Sequence, residues 1–173
     1  MGKPCNAATY RKATYDLALA HSPKFIVEVG VYAGALSQML AELPTREAQW
    51  IVDSWKGDYC KFGQPHMDNI ATAVLDWAAT DEKIRCWRMD SKDGAKAFAE
   101  QNPGACIDFW HTDGDHSLAG IMGDITAWMP LVRSGGIMSG DNFEIPEVAK
   151  GVRKLCPGFK LLANGRLWAW TKP

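Results

Sequence analysis

The stretch KFIVEVGVYAG, Lys24 to Gly34, decides the fold. Phe25 to Val29 form a short, almost continuous apolar run closed by a glycine, the pattern of a strand buried on both faces. The next segment, ALSQMLAELP (35–44), changes period: Leu36, Met39, Leu40 and Leu43 fall on one side of a helix that Pro44 ends. A buried strand, a glycine turn and an amphipathic helix in succession are the opening unit of a parallel α/β sheet.

The alternation extends in both directions. Upstream, Tyr10, Thr14, Leu17 and Ala18 give a helix over 6–21 within an N-terminal segment 1–22, stopped at Ser22-Pro23. Downstream, QWIVDSW (49–55) reads as a second strand. The glycine-, proline- and polar-rich stretch 55–68 then reads as a long loop, of a length that often makes a lid. A helix over 69–79, a strand IRCWRMD (84–90), a helix over 92–101 and a strand CIDFWHTD (106–113) follow. The longest apolar stripe, Leu118, Ile121, Met122, Ile125, Trp128, Met129 and Val132, predicts a helix over 118–132. GGIMSGDN (135–142) is a fifth strand and PEVAKGVRKLC (146–156) another helix. FKLLANGRLWAW (159–170) is a hairpin around Asn164-Gly165. The whole of 1–173 is thus one α/β domain: a doubly wound, mostly parallel sheet with a C-terminal antiparallel hairpin, which binds its ligand at the carboxyl ends of the strands.

Composition narrows the partners. Hydrophobic residues make 47% and charged residues 23% of the chain, so it is globular. The net charge of −1 gives no basis for a nucleic-acid or anionic-membrane partner. The five cysteines (Cys5, Cys60, Cys86, Cys106, Cys156) are odd in number and scattered, which fits reduced thiols and a cytoplasmic location. MGKPCNAATYRK carries no apolar signal region, and no run reaches membrane-spanning length. Of eight tryptophans, Trp55, Trp87 and Trp110 fall beside turns or strand ends, positions that suit either a pocket wall or core filling.

The strand ends carry the chemistry. A dinucleotide fingerprint needs glycine where Tyr32 and Ala35 stand, so the turn Gly30-Val31-Tyr32-Ala33-Gly34 suits a ligand without a pyrophosphate. Glu28 could meet an ammonium group there, or be a satisfied strand-end carboxylate. Asp53, followed by Ser54, stands where a carboxylate accepts ribose hydroxyls. Asp90-Ser91 could reach an adenine amino group, or cap the following helix. Asp113 after the fourth strand and Asp141-Asn142 after the fifth converge if those strands are neighbours. They would form a hard oxygen site suited to Mg²⁺ or a similar ion. A zinc site using His111 or His116 is the alternative, and Asp115 or Ser117 caps the long helix.

VEVGVYAG (27–34), IVDSW (51–55), IDFWHTDGDHSLAGIMGDITAWMPLVRSGG (107–136) and SGDNF (139–143) resemble, in this order and spacing, the class I S-adenosylmethionine-dependent methyltransferases. More narrowly, they resemble the cation-dependent small-molecule O-methyltransferases of the catechol and caffeoyl-CoA type and of the bacterial sugar and natural-product branch. The resemblance spans about residues 24–173 and implies a Rossmann-like methyltransferase sheet. It implies S-adenosylmethionine held at Glu28, Gly30, Tyr32, Gly34, Asp53, Ser54, Asp90, Ser91 and Asp113. It further implies Mg²⁺ on Asp113, Asp141 and Asn142, His116 as general base, a small-molecule hydroxyl acceptor, and room for a homodimer. Relatives often carry a cofactor-contacting serine two residues after the last turn glycine. Leu36 stands there, with Ser37 next, so that contact is not expected. A non-catalytic cofactor-binding protein of the same fold is the alternative. Tyr32 and the closing hairpin disfavour a nicotinamide-dependent oxidoreductase. A nucleic-acid amino-methyltransferase would want an N/D-P-P-[YF] stretch where TDGD (112–115) stands.

Overall fold

The computed structural model describes residues 7–57, 62–104 and 106–173. In chain order the elements are α1 (Ala7–His21), β1 (Phe25–Val29), α2 (Ala35–Ala41), β2 (Ala48–Asp53), α3 (Gln64–Ala78), β3 (Ile84–Arg88) and α4 (Ser91–Gln101). They continue with β4 (Ile107–Thr112), α5 (Leu118–Trp128), β5 (Val132–Gly140), α6 (Pro146–Leu155), β6 (Lys160–Leu162) and β7 (Leu167–Thr171). The described strands form one sheet in the order β3-β2-β1-β4-β5-β7-β6. The first five are parallel, and β7 runs antiparallel to both β5 and β6.

Strand periodicity divides the core between the two faces. Val27, Val29, Trp50, Val52, Trp110 and Met138 pack with residues of α4, α5 and α6. Ile26, Phe109 and Ile137 point the other way, against α1 and α2, and Ile51 and Ile84 pack against α3. Each central strand is therefore covered twice, which is why it reads as a continuous apolar run. Trp55, Trp110, Trp128 and Trp168 are fully buried, so the tryptophans act mainly as core.

Three boundaries differ from the sequence expectation. The stretch 55–68 is not a loop throughout, because α3 begins at Gln64. Pro65 lies in the first turn of α3, where its missing N–H and fixed φ cost nothing. Gln64 ties the turn down, its side chain accepting from the Gly57 amide at 2.7 Å and donating to the Trp55 carbonyl at 2.9 Å. The lid reading rests on the middle of that stretch, and 58–61 lie outside the described residues. The helix expected over 118–132 ends at Trp128, since Pro130 turns the chain into a 3-10 turn and Val132 already pairs with Ile107. The hairpin closes through Ala163–Arg166 rather than a two-residue Asn-Gly turn, with left-handed backbone at Ala163 and Asn164.

The chain winds outward from β1 to β3 and then crosses to β4, so β1 and β4 are neighbours that lead in opposite directions. That switch point is where doubly wound sheets bind ligands. Register makes the strand ends level there: Val29 pairs with both Val52 and Thr112, and Thr112 with Gly140. Gly30, Asp53, Asp113 and Asp141 consequently emerge along one edge.

Candidate active site

Gly30 sets the first turn. It has φ +80°, and a Cβ there would stand 2.3 Å from the Asp113 carbonyl oxygen. Its amide donates to the Val52 carbonyl at 2.9 Å, and the Asp113 amide donates to the Val29 carbonyl at 2.8 Å. Only a glycine lets the turn lie this close to the chain leaving β4. Tyr32, where a dinucleotide fingerprint would have its second glycine, is left-handed at φ 48°. The Asp53 carboxylate accepts the amides of Tyr32 at 2.8 Å and Trp55 at 2.7 Å, and the Trp55 indole donates to the Tyr32 carbonyl at 2.8 Å. These bonds hold the non-glycine conformation, and the Asp53 oxygens still have lone pairs for two further donors. Tyr32 itself is half exposed.

Glu28 is 2% exposed, and its carboxyl accepts the Ser37 hydroxyl at 2.6 Å. Ser37, with no expected cofactor contact, thus supports the carboxyl instead. Gly34 has φ +75° and ends the turn at the start of α2. Half-buried Ser54 follows Asp53. Asp90 holds the N-cap position of α4 but makes no side-chain cap bond; it pairs with Lys56 at 2.7 and 2.8 Å. The part-buried Ser91 hydroxyl accepts the Trp128 indole at 3.0 Å. Ser117, not Asp115, caps α5 by accepting the Gly120 amide; Asp115 in turn accepts the amide and hydroxyl of Ser117.

Beyond β4 the side chains form a linked series. His116 Nε2 lies 3.1 Å from Asp113 Oδ1, and the Tyr10 hydroxyl donates to Asp113 Oδ2 at 3.1 Å. The hydrogen bond to Asp113 raises His116 above the usual imidazole range, against the pull of its partial burial. Arg166 grips Asp141, Nε donating to Oδ1 and Nη2 to Oδ2, each at 2.7 Å. The same guanidinium lies 4.9 Å from the centre of the Tyr10 ring. Burial, helped by the charge on Asp113, raises the Asp141 carboxyl despite Arg166. His111 makes its hydrogen bond outside this series: it is fully buried, its Nδ1 is 3.0 Å from the Ser139 hydroxyl, and burial lowers its pKa to about 4. It is neutral at pH 7.

The arrangement of the described residues does not support the expected divalent-ion site. Among the described residues no cluster of three His, Cys, Asp or Glu side chains is spaced to hold an ion. Asp141, whose side chain is fully buried, gives both oxygens to Arg166, and both Asp113 oxygens already have protein partners. Asn142 is left-handed at φ 57°, with its carbonyl accepting the Ile145 amide. With the Asp113 and Asp141 oxygens so occupied, the two carboxylates do not fit a resident cation as arranged. Sequence reasoning missed Tyr10 and Arg166. Tyr10 lay within the apolar stripe of α1, and Arg166 directly follows the Asn164-Gly165 turn signal. A cavity of about 440 Å³ between α2 and α3, lined in part by Gln38, Arg46, Trp77 and Asp81, involves none of these groups.

A sequence model described as a methyltransferase domain matches residues 27–143. No curated protein matches the chain in sequence. Among solved structures, the O-methyltransferase from Bacillus cereus, in complex with S-adenosylhomocysteine, superposes with a TM-score of 0.69 at 15% identity. That alignment covers 96% of this chain and 82% of the other. The O-methyltransferase TomG from Streptomyces achromogenes, involved in tomaymycin synthesis and in complex with S-adenosylmethionine, gives 0.68 at 17%, over 97% and 82%. CalS11, a TDP-rhamnose 3'-O-methyltransferase of calicheamicin biosynthesis, gives 0.67 at 17%, over 96% and 81%. At these identities the likeness is one of fold.

Proposed function

The chain belongs to the methyltransferase domain family, and from that premise we propose that it is an S-adenosylmethionine-dependent O-methyltransferase acting on a hydroxyl of a small molecule. The observation that carries this reading is the His116–Asp113 pair, 3.1 Å apart, directly beside the Gly30 turn. It sets a proton acceptor next to a turn suited to the cofactor.

The residues present fit S-adenosylmethionine. The close approach at Gly30 leaves backbone at the turn without side-chain bulk, Asp53 closes β2 with spare acceptor capacity for ribose hydroxyls, and Glu28 supplies a carboxyl for the ammonium group. When bound, the cofactor supplies a sulfonium methyl, whose S–C bond breaks with its electron pair staying on sulfur as the new O–C bond forms. His116 takes the hydroxyl proton. Because Nε2 faces Asp113, Nε2–H donates to the carboxylate and Nδ1 is the basic atom. Asp113 then steadies the imidazolium, and the Tyr10 hydroxyl fixes the carboxylate from its other side. A positioned base of this kind contributes about 10²–10⁴-fold. The Mg²⁺ expected on Asp113, Asp141 and Asn142 does not fit the residues as they stand, and no step here passes through an ion.

No helix among the described residues is long and apolar enough to cross a membrane. The free thiols Cys86, Cys106 and Cys156 support a cytoplasmic location. Titration calorimetry with S-adenosylmethionine, then a methyl-acceptor screen of catechols, sugars and hydroxylated metabolites, tests the reading. One cofactor per chain and a methylated oxygen in the product are expected. Heat with NAD and none with S-adenosylmethionine would overturn it.

A further inference from the structure

The β6–β7 turn delivers a cation to the end of β5. Gly140 pairs with Trp168, and the Phe143 amide donates to the Arg166 carbonyl at 2.9 Å, so the backbone of Arg166 is fixed opposite the Asp141-Asn142 segment. From there its guanidinium meets both Asp141 oxygens in a fork, the geometry in which arginine binds carboxylate most strongly. The Asp141 side chain is fully buried and that of Arg166 is 25% exposed, so this is not a solvated surface pair. The other face of the site is tied in through Tyr10, whose ring lies against the guanidinium and whose hydroxyl donates to Asp113. The guanidinium therefore balances the charge of Asp141 directly and reaches Asp113 only through the Tyr10 ring and hydroxyl.

We infer that Arg166 is the resident cation of this site: its guanidinium occupies Asp141 and braces Asp113 through Tyr10, so the protein works without a divalent ion. The inference rests on the methyltransferase reading only for what the site does; the occupancy of Asp141 stands apart from it. A divalent ion would have to separate a buried, bidentate ion pair, leaving the arginine without its partner, and this is strongly unfavourable. Arginine keeps its charge at every physiological pH, so the substitution is permanent rather than conditional. The nitrogen not given to Asp141, Nη1, lies 3.7 Å from a Glu144 carboxylate oxygen, so a second acidic side chain also holds the guanidinium.

Manganese(II) titration followed by electron paramagnetic resonance tests this on the full chain, alone and with S-adenosylhomocysteine. The wild type is expected to show no saturable site below about 1 mM, the weak end of carboxylate cation sites. Arg166→Met should uncover one, at least about tenfold tighter, that the double variant Arg166→Met/Asp141→Asn loses, while Arg166→Lys should gain none. Saturable binding by the wild type that Asp141→Asn abolishes would overturn the inference, as would a folded Arg166→Met protein that gains no site. If Arg166→Met fails to fold by circular dichroism, the wild-type and Asp141→Asn titrations still decide. Calorimetry of S-adenosylhomocysteine on the same samples reads the methyltransferase proposal separately, since absence of that heat refutes the proposed function and leaves the ion result intact.

Discussion

Ser37 donates its hydroxyl to a Glu28 carboxyl that is only 2% exposed, at 2.6 Å. Burial pushes Glu28 up to about 8; the Ser37 bond opposes this, and the charges of Asp113 and Asp53 add to it. The folded protein therefore holds a proton on Glu28 at pH 7 that the unfolded chain, near 4.5, has lost. The sign follows: this contribution to stability is complete below pH 4.5, falls by roughly 1 kcal/mol per pH unit above it, and has gone once pH passes about 8. Glu28→Gln should flatten the fall of Tm across that window and weaken S-adenosylmethionine binding. In wild type, an incoming ammonium should ionise the carboxyl. Calorimetry in buffers of different ionisation enthalpy should then show release of about one proton, and none in the variant.

Gly30→Ala tests the turn itself. The new Cβ would meet the Asp113 carbonyl oxygen at 2.3 Å, a backbone atom that cannot rotate away, at a φ of +80° that disfavours alanine. A loss of roughly 3 kcal/mol or more is expected in urea unfolding, with S-adenosylmethionine binding lost even where the variant is folded. A variant with unchanged midpoint and affinity would mean that the turn and the chain after β4 are not in contact.

How much of this was legible follows from the range of the interactions. Val27 and Val29 facing one helix layer, and Ile26 the other, is a local pattern, and it is enough to mark a strand covered on both faces, though not its place in the sheet. Strand ends follow from the same pattern, so Glu28, Asp53, Asp113 and Asp141 could be put on one edge. Pro65 misled because proline marks a loop and the first turn of a helix equally well. The apolar stripe continues past Pro130 although the chain turns there, because Met129 and Val132 are apolar for other reasons than a helix face. Tyr10 and Arg166 were not legible as site residues. Their partners lie 103 and 25 positions away, on elements whose placement depends on how α1 docks and on the register of the hairpin.

Asp108 predicts an acid-labile link far from the chemistry. It accepts the amides of Lys24 and Phe25, each at 2.8 Å, and Arg133 Nε at 2.5 Å, fastening β1 and β5 to β4. Burial alone would raise its carboxyl, but these donors outweigh it and hold the group below the usual carboxylate range. The stabilisation is therefore present above pH 3.8 and is lost as pH falls through the depressed folded value. Asp108→Ala should cost about 2–3 kcal/mol at pH 7 and reduce the loss of stability on acidification, both read from denaturant midpoints measured between pH 7 and pH 3.

The pH dependence of turnover isolates His116. Asp113 holds the imidazole proton more firmly than in free histidine, so the base is formed only as pH rises through a value above 6.5. The rate on any acceptor found by the screen should therefore climb along a limb whose midpoint exceeds 6.5. Asp113→Asn removes the hydrogen-bonded charge, so the midpoint should move down while the plateau falls, because the imidazolium formed in the transition state is no longer steadied. His116→Ala should cost about 10²–10⁴-fold near neutrality. The loss should shrink at alkaline pH, where the acceptor hydroxyl ionises without help. A constant loss at every pH would show that His116 orients the acceptor rather than taking its proton, and Asp113→Asn would then leave the midpoint where it was.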